Sequence, residues 1–146
     1  MRSHKYYAAI HLAAIVGDPA CALEPELAIN TNWHASANLL DKAKEFKVTK
    51  FIFASTFSNY GKMSNPNEYV DEDSSLDPVS LYAELKVKFE KYILNDIPKT
   101  DDFIPTALRF STVYGLSPRM RSDLTVNEFT KGVAIGKELL IYGEYF

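Results

Sequence analysis

The stretch Val48-Thr49-Lys50-Phe51-Ile52-Phe53-Ala54-Ser55-Thr56 reads as a β-strand that ends in hydroxyls. Its β-branched and aromatic residues suit a pleated, buried surface. Phe57-Ser58-Asn59-Tyr60-Gly61 then turns into a polar loop that runs to Asp77-Pro78. Upstream, Tyr6 to Ala14 reads as a short, mostly apolar strand buried on both faces, the pattern of a parallel sheet. The Ala13-Ala14 pair at its end lets another molecule approach the backbone closely. After the loop through Gly17-Asp18-Pro19, a helix is expected from Leu27 to Phe46. Its apolar positions Ala28, Trp33, Ala35, Ala37, Leu39, Leu40, Ala43 and Phe46 recur with approximate helical spacing.

Downstream, Leu76-Asp77-Pro78-Val79-Ser80-Leu81-Tyr82-Ala83-Glu84-Leu85-Lys86 opens a helix that continues to about Leu94, with Pro98 barring its extension. Ile104 to Ser111 is a third strand, followed by Thr112-Val113-Tyr114-Gly115. A last helix is expected over Val126–Ile135, then an apolar Leu139-Leu140-Ile141-Tyr142. Strands alternating with helices of this length mark βαβ units, hence an α/β fold with a parallel sheet and right-handed crossovers. Ligands of such sheets sit at the carboxyl ends of the strands. Ala13-Ala14, Ser55-Thr56 and Ser111-Thr112 all fall there, beside the helix face that carries Tyr82.

Composition narrows the function classes. The chain has 146 residues, enough for one domain, and 47% hydrophobic content implies a real core. A net charge of -3 with scattered basic residues supports neither nucleic-acid nor anionic-membrane binding. No apolar run has membrane-spanning length, and Met1-Arg2-Ser3-His4-Lys5 runs into strand-like sequence without a good signal-peptide cleavage pattern. The single cysteine, Cys21, fits a reducing cytoplasm, and His4, His11 and His34 offer no metal-ligand spacing. The expectation is a cytoplasmic protein without a metal.

Tyr82 and Lys86 stand four residues apart and so share a helix face. A nearby cation favours phenolate over phenol, which makes a tyrosine usable as a general base. The plain alternative is a surface lysine beside a half-buried tyrosine.

In sequence order, His11-Leu12-Ala13-Ala14, Asn32 with Asn38-Leu39-Leu40, Phe51 through Thr56 to Tyr60-Gly61, Pro78 with Tyr82 and Lys86, and Leu108-Arg109 with Val113-Tyr114-Gly115 form an ordered series of blocks. The series resembles the extended short-chain dehydrogenase/reductase family, in particular its NAD-dependent nucleotide-sugar epimerases and dehydratases. The resemblance implies a partial Rossmann-like, doubly wound parallel sheet containing only the central and C-terminal strands. It implies NAD (or NADP) as cofactor and a nucleotide-diphosphate sugar as substrate, with a possible homodimer through the two long helices.

By the same resemblance, Tyr82 is the acid/base and Lys86 hydrogen-bonds the nicotinamide ribose and depresses the Tyr82 pKa. Thr56 orients the reacting oxygen. Leu12, Ala13, Ala14, Asn32 and Ser111 lie along the cofactor, and Ser58 and Thr112 along the substrate. The bland alternatives stay open: Thr56 as a cap for the loop after its strand, Asn32 as a helix N-cap, Ser58 as an ordinary loop residue. Cys21 and Trp33 read as packing residues.

The departures from the family pattern are informative. Dehydratases of the family follow their catalytic Thr with Asp-Glu; here Phe57 and Ser58 stand there, which favours an epimerase or reductase. Thr112 replaces the Asn that commonly precedes Val-Tyr-Gly. The six glycines never form Gly-x-Gly-x-x-Gly or Gly-x-x-Gly-x-x-Gly, whereas a dinucleotide pyrophosphate needs such a turn. The resemblance therefore implies that residues 1–146 are a partial domain, lacking the phosphate loop and the C-terminal substrate region. The first strand would then present an open apolar edge, and the chain alone is expected to bind NAD poorly and turn over nothing. A non-catalytic binding or assembly module and a decayed fragment are the alternatives.

Overall fold

A computed structural model describes residues 5–62, 69–98, 100 and 102–139. His4 and residues 140–142 of the apolar tail lie outside them. Three strands, β1 (Ala8–His11), β2 (Lys50–Thr56) and β3 (Ile104–Phe110), form one parallel sheet in the order β1-β2-β3. Ala8 pairs with Lys50 and Lys50 with Ile104; at the other end Thr56 lies beside Phe110. All three strands therefore end on the same rim, as the alternating pattern predicts.

Between β1 and β2 the chain forms α1 (Asp18–Leu23), α2 (Pro25–Ile29), a π-helical stretch (Asn30–Ala35) and α3 (Ser36–Glu45). The helix expected from Leu27 thus begins at Pro25, a residue suited to the first helical turn, and widens in its middle. The short helix α1 was not expected. It begins just after Gly17, which adopts a positive φ of 93°, with Pro19 in its first turn. Between β2 and β3 lie a 3₁₀ turn (Phe57–Tyr60), α4 (Leu81–Lys91) and a second π-helical stretch (Tyr92–Asp96). Ser80 caps α4 by accepting a hydrogen bond from the Ala83 N–H at 3.3 Å, and the helical run ends at Ile97, which is extended ahead of Pro98. The last helix, α5, is Thr125–Ala134.

The core lies between the sheet and the helices. Phe51, Phe53, Leu40, Val48, Phe89 and Ile93 are all buried there. Phe89 of α4 is the hub: its ring meets Phe53 edge-on at 4.7 Å and Trp33 at 6.1 Å, contacts that add to simple area burial. Trp33 and Cys21 are indeed packing residues.

The first strand differs from expectation. It is shorter than Tyr6–Ala14 and not buried on both faces: His11 is buried, whereas Ile10 is 65% exposed. Among the described residues, helices cover only the sheet face that carries Phe51, Phe53 and Ala107. On the opposite face Ile10, Ile104, Leu108 and Phe110 remain exposed, so burial alternates along each strand. At the turn after β2, Gly61 has a positive φ of 67° and lies against the Asp77 backbone. A Cβ there would sit 1.8 Å from the Asp77 carbonyl oxygen. This contact, with the Asp77 N–H donating to the Asn59 carbonyl at 3.0 Å, brings the far end of the polar loop back to the rim.

Candidate active site

Helix α4 crosses the end of β2 and sets its side chains against three successive strand residues. The Lys86 ammonium is buried; it donates to the Ala54 carbonyl at 2.7 Å and lies 4.6 Å from the centre of the Phe53 ring. Burial draws its pKa down to about 8, opposed by the Cys21 thiol. The Tyr82 phenol is half-buried beside Cys21 and Leu85, near enough to the Thr56 hydroxyl for that group to lower its pKa. Thr56 Oγ1 in turn accepts the Ser58 N–H at 3.2 Å. Thr56 therefore caps the turn and also faces Tyr82. With one lone pair taken by a backbone donor, its own proton is left for the phenol or a ligand oxygen.

Tyr82 departs from the expected electrostatics. Its pKa is raised, first by burial and then by the nearby Cys21 and Asp18, against a smaller lowering by the Thr56 hydrogen bond. Lys86 does not depress it. The ammonium turns toward the Ala54 carbonyl and lies 5.7 Å from the centre of the Tyr82 ring, so desolvation outweighs its field.

Asn32 lies within the π-helical stretch, so it is not a helix N-cap. It is buried, and its amide grips one residue on both sides: Oδ1 accepts the Ile15 N–H at 2.8 Å and Nδ2 donates to the Ile15 carbonyl at 2.9 Å. That clamp fixes the chain immediately after Leu12, Ala13 and Ala14 at the end of β1. Leu12 and Ala13 are exposed and Ala14 is half-buried, leaving small, open backbone on the rim. A second tie joins β1's loop to α4, since the Ser80 hydroxyl donates to Asp18 Oδ1 at 2.7 Å. Ser111 and Thr112 are exposed just past β3, on the same rim. Ser58 is exposed too, and its backbone rather than its hydroxyl meets Thr56.

Sequence reasoning overlooked a second polar group behind Thr56. Glu90, buried on α4, accepts from Ser55 Oγ at 2.8 Å, Asn59 Nδ2 at 3.1 Å and Arg109 Nε at 2.8 Å, with a further close contact from Arg109 Nη2. The signal was present: Tyr82, Lys86 and Glu90 fall at i, i+4 and i+8, along one ridge of the helix. Among the described residues, no group of three or more His, Cys, Asp or Glu side chains could hold a metal, and no helix is long and apolar enough to cross a membrane.

A parallel α/β sheet with a Tyr-x-x-x-Lys helix laid over a hydroxyl at a strand end defines the class of short-chain dehydrogenase/reductase-like proteins. Comparison with known proteins agrees. The profile of the NAD dependent epimerase/dehydratase family matches residues 1–145, and the chain belongs to that family. It is 34% identical over 140 residues to UDP-glucuronate 4-epimerase of Thermodesulfobacterium geofontis, covering 94% of this chain and 41% of the relative.

Among solved structures, UDP-glucuronic acid 4-epimerase from Bacillus cereus in complex with NAD matches with a TM-score of 0.75 at 32% identity, covering 94% of this chain and 42% of that one. UDP-N-acetylglucosamine 4-epimerase from Methanobrevibacter ruminantium, in complex with UDP-N-acetylmuramic acid, matches with a TM-score of 0.77 at 30% identity, covering 94% and 44%. The chain thus spans less than half the length of these relatives.

Proposed function

We propose that the protein carrying these residues is an NAD-dependent 4-epimerase of nucleotide-diphosphate sugars. The observation that carries this reading is the meeting of Tyr82, Lys86 and Thr56 at the rim of β2. NAD, when bound, would accept a hydride from the sugar ring carbon and return it to the opposite face. Tyr82 takes the proton from the sugar hydroxyl as the carbon is oxidised and gives it back on reduction. Thr56 holds the same oxygen in place with the proton that its cap leaves available. Lys86 would hold the nicotinamide ribose with the ammonium donors beyond the one given to Ala54. Elimination of water would need an acid and a base beside Thr56. Phe57, whose ring packs tilted against Tyr60 at 5.3 Å, and Ser58 supply neither, which favours epimerase over dehydratase.

The residues present fit the nicotinamide half of the cofactor: a cation, a phenol and the Thr56 hydroxyl stand at the end of β2, on the rim where β1 leads into the small residues Ala13 and Ala14. The pyrophosphate half finds no glycine-rich turn in this sequence. Residues 1–146 alone therefore bind NAD weakly and turn over nothing. In the same proposal, a second copy of the protein docks through the two long helices.

Two measurements test this. Calorimetric titration of the 146-residue chain with NAD is expected to give no tight binding. The polypeptide isolated from its own cells, supplied with NAD and UDP-sugars, is expected to invert the configuration at C4. Tight NAD binding by the short chain contradicts the first expectation, and no C4 inversion by an NAD-saturated native polypeptide contradicts the second.

A further inference from the structure

The carboxylate of Glu90 sits at the centre of a hydrogen-bonded network behind the rim, and its partners lie next to or near site residues. Ser55 immediately precedes Thr56. Asn59 lies in the 3₁₀ turn that Thr56 caps, and its amide also donates to Ser55 Oγ at 2.9 Å. Arg109 stands on β3, two residues before Ser111. Its guanidinium reaches on to Tyr60 OH at 2.8 Å and to the Glu72 carbonyl at 3.1 Å, while Tyr60 OH donates to the Asp71 carbonyl at 2.7 Å. One carboxylate thereby ties α4, the end of β2, the turn after it, β3 and the far limb of the polar loop.

We infer that Glu90 is a positioning residue: through Ser55, Asn59 and Arg109 it fixes the strand end that carries Thr56 in place beside the helix that carries Tyr82. The inference rests on the reading of Tyr82 and Thr56 as the reacting pair. Stability alone is a poor reason for this arrangement, because well-packed apolar residues of similar volume often stabilise a site as well as a buried ion pair. What an ion pair with a full set of hydrogen bonds adds is direction. Arg109 meets Glu90 through two nitrogens of a rigid planar fork, and the other carboxylate oxygen is left to fix Ser55 and Asn59. Glu90 also shares a helix ridge with Tyr82, so a single rigid element both carries the phenol and anchors the strand end that bears Thr56. Loss of the carboxylate frees the strand end to move relative to the phenol.

The test is nuclear magnetic resonance of the 146-residue chain labelled with ¹³Cζ-tyrosine. The Tyr82 signal near neutral pH reads the surroundings of its phenol without any need for activity. Thr56→Ala marks where the signal lies when the Thr56 hydroxyl is gone. Glu90→Gln keeps the volume but presents one acceptor oxygen in place of two, and it is expected to move Tyr82 to the Thr56→Ala position. The double variant is expected to move it no further, the mark of a shared effect.

Leu40→Ala opens a cavity in the core without touching the network, and it is expected to leave the Tyr82 signal in place. Arg109→Lys keeps the charge but loses the fork. It is expected to shift Tyr82 in the same direction as Glu90→Gln, and it decides the matter if that variant does not fold. A Tyr82 signal unmoved by the network variants, or moved equally by Leu40→Ala, overturns the inference and leaves Glu90 a purely structural residue. Neither outcome depends on turnover, so failure here is distinct from failure of the proposed activity.

Discussion

Replacing Tyr82 by phenylalanine is expected to lower C4 inversion by the native polypeptide about 10²–10⁴-fold, the usual worth of a positioned general acid/base. The ring is half-buried against Cys21 and Leu85, and phenylalanine retains those contacts. Only the hydroxyl is lost. Stability is therefore expected to stay within about 1 kcal/mol of wild type, the scale of one net hydrogen bond. Turnover assays and thermal unfolding of the same preparation separate the two effects. A protein that works only by binding a partner would keep that partner after the substitution.

The largest effect on the fold is expected from Phe89→Ala. Phe89 is fully buried and its ring touches Phe51, Phe53, Trp33 and Tyr92. Truncating a buried aromatic of this kind costs about 3–5 kcal/mol, the lost transfer energy plus the cavity left behind. That is a large share of the stability of a small domain. Urea unfolding monitored by circular dichroism checks it. A loss below about 1 kcal/mol would mean that α4 is held to the sheet chiefly by its polar contacts, and that the aromatic hub contributes little.

The sheet was legible in the sequence because Lys50–Thr56 and Ile104–Phe110 carry strong strand residues with a helical pattern between them. The Tyr82–Lys86 pair was legible because a helix makes spacing equal to direction. Burial along β1 was misjudged, since apolar sequence tells which residues can be buried and not which face of the sheet receives helices. The start of the second helical region was placed late because Asp18–Leu23 is too short to show a period. The Tyr82 pKa was expected in the wrong direction for a related reason. The sequence puts a cation on the same helix face, but it does not reveal the Ala54 carbonyl that draws the ammonium away. Helical spacing places Glu90 on the ridge of Tyr82 and Lys86, but its partners stand 19 to 35 positions away in sequence, and that spacing does not name them.

Transient oxidation at C4 is tested most directly with the UDP-sugar that the polypeptide isolated from its own cells inverts, carrying deuterium at that carbon and supplied with NAD. Oxidation and re-reduction at one bound sugar predicts inverted product that retains deuterium at C4, with the Tyr82→Phe variant forming almost none. Inverted product in which solvent hydrogen has replaced the deuterium would show proton abstraction from carbon instead. It would contradict Tyr82 as the acid/base at the sugar hydroxyl, with Thr56 and Lys86 as its supporting groups.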